Sequence, residues 1–292
     1  MRFKAYEETD YDAVCRFLVE LNREDRKHIN WNWARFEWMY EHPDFDRSLL
    51  SAIGTWWEGE RIVGAAIYDM YFGEAFCVVL PGYEHLYQEI LDYAFRELKD
   101  DSGLGIAVSD RDQDRISQVE QACFSVTDQK ETVMELDLER LETPSLPAGY
   151  SFSEVDFAKV DSREIQWMFW QGFDHGDDVA EFEEDYARTM RAELKVRKHF
   201  DPELSVSAKD PSGERAAYCC VWFLDGTDYA YVEPVCTLPA HRKHGLGSAV
   251  VCEALRRAKK RGANRAYVIS DQDFYRSLGF RTAVQYSFYW KK

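Results

Sequence analysis

The 292-residue chain is predicted to be an α/β protein built from two copies of one domain. Three observations predict it. Segments of the same kind recur in the same order in both halves. The breaks Leu80-Pro81 and Leu238-Pro239 place their prolines 158 residues apart. The seam between the copies, ETPSLPAG at 142–149, carries two prolines and a glycine that interrupt helix and strand alike. A repeat of this length is a domain, far longer than a solenoid unit. The expected division is a domain at 1–141, a linker at 142–149 and a domain at 150–292. Two unrelated α/β domains sharing an element order by coincidence are the alternative.

Each half opens with a short strand and an acid-rich helix start, FKAYEETDYDAVCRFLVEL (3–21) and YSFSEVDFAKVDSREIQWMF (150–169). A hairpin follows whose second arm begins with Glu-Arg, in EGERIVGAAIYDM (58–70) and SGERAAYCCVWFL (212–224); β-branched and aromatic residues around Gly turns mark these arms as strands. Next, a run through Leu-Pro passes into helix-period apolar residues, CVVLPGYEHLYQEILDYAFREL (77–98) and PVCTLPAHRKHGLGSAVVCEALRRA (234–258). Each half closes with a strand bearing Val and Ser-Asp and a short helix ending in an aromatic, VSDRDQDRISQVEQACF (108–124) and VISDQDFYRSLGF (268–280).

Composition narrows the function. Hydrophobic residues make up 46% and no low-complexity tract appears, so each half can bury a core. The start, MRFKAYEETDYDAV, has no apolar leader and no later run is long enough to span a bilayer, which predicts a soluble, cytoplasmic protein with no membrane partner. Seven cysteines, scattered apart from adjacent Cys219-Cys220 and without a C-x-x-C pair, predict neither a disulfide framework nor a metal site. A net charge of −17 repels polyanions, so no nucleic-acid partner is expected. The oligomeric state is left open.

Within the stretch TLPAHRKHGLGSAV (237–250), Arg242, Lys243 and His244 set three basic side chains beside two glycines at a helix start. A helix N-terminus exposes unpaired N–H groups, and Gly245 and Gly247 let an anion approach them. No Gly-Lys-Ser/Thr and no G-x-G-x-x-G is present, which removes the nucleotide P-loop and the dinucleotide fingerprint. With Arg242-x-x-Gly245-x-Gly247 after a Leu-Pro break and FYRSLGF (274–280) one helix and one strand downstream, the sequence resembles the GNAT superfamily of acetyl-CoA-dependent N-acetyltransferases.

The resemblance covers the second half closely, and the duplicated layout resembles tandem-GNAT proteins. It implies two mixed, mostly antiparallel twisted sheets flanked by helices, each with splayed central parallel strands. It implies that Lys243, His244, Gly245, Leu246, Gly247 and Ser248, with Arg242, wrap the CoA pyrophosphate. Backbone groups of Val235, Cys236 and Thr237 would pair with the pantetheine arm. Tyr275, four residues before Gly279-Phe280, would protonate the departing sulfur. Family members often carry an Asn before that tyrosine; VISDQDFY (268–275) has none, so that contact is unassigned. Independently, Pro234 cannot donate to a sheet ladder and belongs at an edge or bulge, which fits a strand opening there.

Acyl transfer to an amine also needs a base and a polarised carbonyl. Glu233 on the splayed strand can take the amine proton directly or through water, or be an ion-paired strand residue; the N–H of Val235 is the expected donor to the carbonyl. Tyr275 is an acid or a packing aromatic. His241 and His244 flank the loop as extra donors or solvated residues. In GFDHGDDVAEFEEDY (172–186), Asp174, His175, Asp177 and Asp178 fall where the resembling family builds its acceptor pocket, and the acid run points to a cationic acceptor; helix capping alone would also account for these aspartates. Aligned on Leu-Pro, the first half sets Glu84, Tyr87 and Glu89 opposite Arg242, Gly245 and Gly247, and Cys123 opposite Gly279. That copy is expected to keep the fold without the cofactor. The massed Trp31, Trp33, Phe36, Trp38 and Tyr40 read as core or domain contact. The expected function is transfer of an acetyl group from acetyl-CoA to a small-molecule or peptide amine in a ternary complex; a CoA-binding sensor without turnover is the alternative.

Overall fold

A computed structural model of the chain describes residues 1–40, 42, 45–141, 145–156, 158–189 and 198–292. The first half runs β1 (Arg2–Ala5), α1 (Tyr11–Leu21), α2 (Trp33–Tyr40), β2 (Gly54–Glu58), β3 (Arg61–Asp69), β4 (Tyr71–Val79), α3 (Tyr87–Glu97), β5 (Leu104–Ser109), α4 (Gln113–Gln121) and β6 (Ser125–Asp137). The second runs β7 (Ser151–Glu154), α5 (Ser162–Gly172), α6 (Val179–Thr189), β8 (Ser205–Lys209), β9 (Arg215–Phe223), β10 (Tyr229–Thr237), α7 (Leu246–Lys260), β11 (Arg265–Ile269), α8 (Asp273–Ser277) and β12 (Arg281–Lys291).

The chain divides into two compact units, one of residues 1–133, 269–271 and 282–292, the other of residues 134–268 and 272–281. This differs from the division expected at the Pro-rich seam. Residues 142–144 of that seam lie outside the described residues, while Leu141 and Leu146 around them pack on the second core, alongside Met134 and Leu136 at the end of β6. The terminal strand β12 belongs to the first unit. It pairs antiparallel with β5 from Tyr286↔Ser109 to Lys291↔Leu104, and Gly105 leaves room for the Trp290 ring, which a Cβ would meet at 2.5 Å.

In the first unit β1–β4 form an antiparallel meander, and β4 meets β5 in parallel over only Glu74↔Gly105 and Ala75↔Ile106. Trp31, Trp33 and Phe36 are fully buried in its core, with Trp31 stacked on Phe76 at 3.9 Å, so the aromatic mass of that segment is packing.

In the second unit β7, β8, β9 and β10 are antiparallel neighbours, and β10 meets β11 in parallel over Tyr229–Tyr231 alone. Every residue of β9 from Ala216 to Phe223 is buried, as befits a central strand covered on both faces. Helix α7 packs Leu246, Val250, Ala254, Leu255 and Ala258 on that sheet at helical spacing. It stops at left-handed Gly262, with the N–H of Ala263 returning to Ala258 O, and carries Arg257, Lys259 and Lys260 at its negative end. The pairing of β10 shifts register between Val232 and Val235, the span that holds Pro234. A proline there has no ladder hydrogen to give, so β10 and β11 part beyond Tyr231. Both units thus show the mixed sheet with briefly paired parallel strands.

Candidate active site

The part of β10 beyond its pairing with β11 lines a cleft of about 450 Å³ in the second unit. Val235, Cys236 and Thr237 line it from β10, Arg242, Lys243 and Gly245 from the loop, Leu246, Gly247 and Ser248 from the start of α7, and Tyr275 from α8. His244 is exposed and is not among the lining residues. Gly172, Gln272 and Phe274 line it too, and sequence reasoning missed them as site residues; His241, expected to flank the loop, is also among the lining residues. Gln272 had a signal: it is a carboxamide three residues before Tyr275, in the connection that lacks an Asn.

Gly245 is the N-cap of α7 with φ 80°, a conformation open to glycine. Ala249 is the first residue of the turn to donate back, to Gly245 O at 3.0 Å. The N–H groups of Leu246, Gly247 and Ser248 before it find no acceptor among the described residues and carry the positive end of a 15-residue helix. A Cβ on Gly247 would come within 3.2 Å of Thr237 Oγ1 and 3.4 Å of the Phe274 ring, so a larger residue would fill the cradle. Free amides, glycines and an open cleft fit the pyrophosphate and pantetheine of CoA.

Strand alternation decides which backbone groups face the opening. Leu238 N–H donates to Ala216 O on β9 at 2.9 Å, so in the same register Cys236 pairs with Tyr218, while Val235 and Thr237 turn their backbone groups away from β9. Of the three residues expected to bond pantetheine, the backbone of Cys236 is therefore engaged in the sheet. Its side chain packs against Gly172, where a Cβ would meet Sγ at 2.8 Å, and burial pushes the thiol up to about 12 despite Arg242 nearby.

Tyr275 is 8% exposed, edge-on to Phe274 and Phe280, and burial raises its pKa, with the charges of Cys219 and Glu233 adding to the effect. It stays protonated at neutral pH. Glu233 is not among the cleft's lining residues; its Oε2 accepts from Tyr231 OH at 2.8 Å, and its backbone O accepts from Trp222 Nε1 at 2.7 Å.

The acid-rich segment divides its work. Asp178 Oδ1 accepts from the N–H groups of Ala180 and Glu181 at 2.8 and 3.2 Å and so caps α6. Asp174, at φ 63°, pairs with Arg242 at 2.7 Å. His175 lies over the Trp170 ring at 4.9 Å. Asp174 and Asp177 line a second cleft of about 360 Å³ with Gln171, Leu238, Pro239 and His241, whose Nδ1 meets Tyr150 OH at 2.9 Å.

The family model described as the acetyltransferase (GNAT) family matches residues 163–280. Residues 163–280 are a GNAT domain. Solved structures of the same fold include a tandem GNAT protein from the clavulanic acid biosynthesis pathway, 16% identical with a TM-score of 0.65 over 99% of this chain and 97% of that one. They also include a GCN5-related N-acetyltransferase from Sphaerobacter thermophilus, 15% identical with a TM-score of 0.57 over 99% and 95%. An acetyltransferase from the GNAT family of Colwellia psychrerythraea is 13% identical with a TM-score of 0.57 over the whole of both chains. A search of curated proteins found no match.

The GNAT domain's loop has a counterpart in the first unit. There Gly82 N–H donates to Glu84 Oε1 at 2.9 Å, and that amide, with Glu84's own, holds the carboxyl below its usual range. Glu89 does not face the place of a phosphate as expected; it accepts from Trp56 Nε1 on β2 at 2.7 Å. Tyr87 is buried, and the Arg115 guanidinium lies 3.9 Å above its ring. Phe124 N–H returns to Val119 O as Phe280 N–H returns to Tyr275 O, so buried, protonless Val119 stands where the GNAT domain has its tyrosine.

Proposed function

We propose that the GNAT domain transfers an acetyl group from acetyl-CoA to an amine by direct attack in a ternary complex, and that the first unit binds no acetyl-CoA. The observation that carries the reading is that one cleft joins the open N–H groups of α7 to protonated Tyr275. Acetyl-CoA supplies the activated thioester; the protein's work is to bind, orient and move protons.

The N–H groups of Leu246, Gly247 and Ser248 hold the pyrophosphate, with Lys243 at the rim. Thr237 and Gln272 flank the pantetheine arm. The Val235 N–H, turned from β9, polarises the thioester carbonyl, a contact worth about 3–4 kcal/mol in such sites. Glu233, set behind the lining and oriented by Tyr231, accepts the amine proton through water. Tyr275 donates its proton to the sulfur. Cys236, the cysteine among the cleft's lining residues, is kept protonated by burial, which disfavours a covalent acyl-enzyme and favours direct attack.

For the acceptor, Asp178 caps a helix and Asp174 pairs with Arg242, so of the three aspartates Asp177 is the one left to select a cationic amine. Asp177→Asn is expected to raise KM for a polyamine more than for a neutral amine; equal changes would remove that part of the reading.

The test of the reaction is thiol release from acetyl-CoA across a panel of amines. Tyr275→Phe should lower turnover by ~10²–10⁴-fold with little change in donor affinity. Donor binding without turnover for any amine would favour the sensor reading.

A further inference from the structure

Resting on the donor-transfer reading above, the inference concerns Arg242, the first residue of the loop motif. A free guanidinium beside a phosphate cradle would be a phosphate ligand, but this one is already engaged. Its Nε donates to Thr237 O at 3.0 Å, its Nη2 to Gly172 O at 3.0 Å, and its Nη1 pairs with Asp174 Oδ1 at 2.7 Å. The three partners belong to three elements: the end of β10, the last residue of α5 and the turn between α5 and α6.

The chemistry of those partners explains the attachment. Gly172 O is one of the C-terminal carbonyls that a helix leaves unpaired, at the negative end of its dipole, where a cation is favoured. A forked guanidinium reaches that carbonyl, a strand carbonyl and a carboxylate at once; a lysine's point charge does not. The Asp174 pair alone is largely solvated and contributes little, so the two carbonyl bonds dominate. Gly172 lies against Cys236 closely enough that a Cβ would meet it at 2.8 Å, which brings α5 onto β10 where Arg242 spans them.

We propose that Arg242 is a positioning residue, a strut that fixes the end of α5 and the Asp174 turn against the donor loop, instead of a direct ligand of the donor's phosphates. Through it the loop that holds the donor and the segment that carries Asp177 form one mechanical piece.

The test compares two donors that share the thioester arm, acetyl-CoA and S-acetylpantetheine, which has no pyrophosphate. Arg242→Ala should lower kcat/KM by the same factor with both, on the order of tenfold, and Arg242→Lys should not restore it. Hydrogen exchange of the Phe173 and His175 amides, which bond Phe169 O and Trp170 O, should quicken in both variants with no donor present. A loss confined to acetyl-CoA and repaired by Lys, or no loss with either donor, would overturn the proposal, as would unchanged exchange. If the wild-type protein turns over neither donor, the transferase reading fails, while the exchange measurement still judges the strut.

Discussion

The loops before α7 and α3 follow the same Leu-Pro break and start helices against equivalent sheets, but they dispose of their polar groups differently. Before α7, left-handed Gly245 turns the chain so that three helix-start amides face a cleft. Before α3, a carboxylate from the loop itself, Glu84, takes the Gly82 amide, and Tyr87 turns into the core beneath Arg115. The first unit's cleft, about 390 Å³, is lined by Asp25, Glu84, Asp112 and Asp114 as well as Lys27 and Arg115, an acidic wall for an anionic donor to meet. The difference supports the proposal that only the second unit holds the donor: the first loop turns its own carboxylate onto the Gly82 amide and sets acids along its cleft, where the second leaves helix-start amides open.

The largest expected effect comes from giving the α7 loop the first unit's chemistry. Gly247→Glu sets a side chain against Thr237 and Phe274 and a carboxylate at the helix start, and should weaken acetyl-CoA binding by at least ~100-fold in calorimetry while thermal unfolding stays cooperative. Binding that survives this change would mean that the helix amides are not the donor site.

A second effect belongs to the first unit. His28 lines its cleft, and burial, with Arg115 next in weight, lowers its pKa to about 4. A histidine whose folded pKa lies below its unfolded value adds stability that is fully present above about pH 6.5 and is lost as pH falls toward 4, because the unfolded chain binds the extra proton first. Stability should fall over that window by on the order of a few kcal/mol. His28→Gln should flatten the dependence, measured by denaturant unfolding at stepped pH; an unchanged slope would place the acid sensitivity elsewhere.

The smallest effect compares two left-handed positions after the short helices. Gly279 has φ 92° and its counterpart Cys123 φ 66°. Gly279→Ala should cost about 1–2 kcal/mol. Cys123→Gly, at an exposed thiol, should change stability by less than about 1 kcal/mol, since relief of strain is offset by glycine's entropy. Equal losses at both sites would mean that packing, not backbone conformation, sets the difference.

Much of this was legible in the chain. The Leu-Pro spacing and the glycines marked the duplicated order and the helix start, because both depend on local backbone rules. Pro234 marked the opening of the sheet for the same reason. The placement of β12 in the first unit was not legible: its partner β5 is far away in sequence, and the close fit of Gly105 under Trp290 is a pairing that no local pattern encodes. Nor was the work of Arg242, since two of its partners are backbone carbonyls, which every residue offers. Glu89 misled because the linear alignment places it opposite Gly247, while its rotation on α3 carries it to Trp56.

The most direct test of the central claim, that only the second unit holds acetyl-CoA, is the binding stoichiometry of the intact chain by calorimetry. The account predicts one acetyl-CoA per chain, lost in Gly247→Glu and retained when Glu84 and Glu89 are changed to Gln. Two per chain, or one that survives Gly247→Glu, would contradict it.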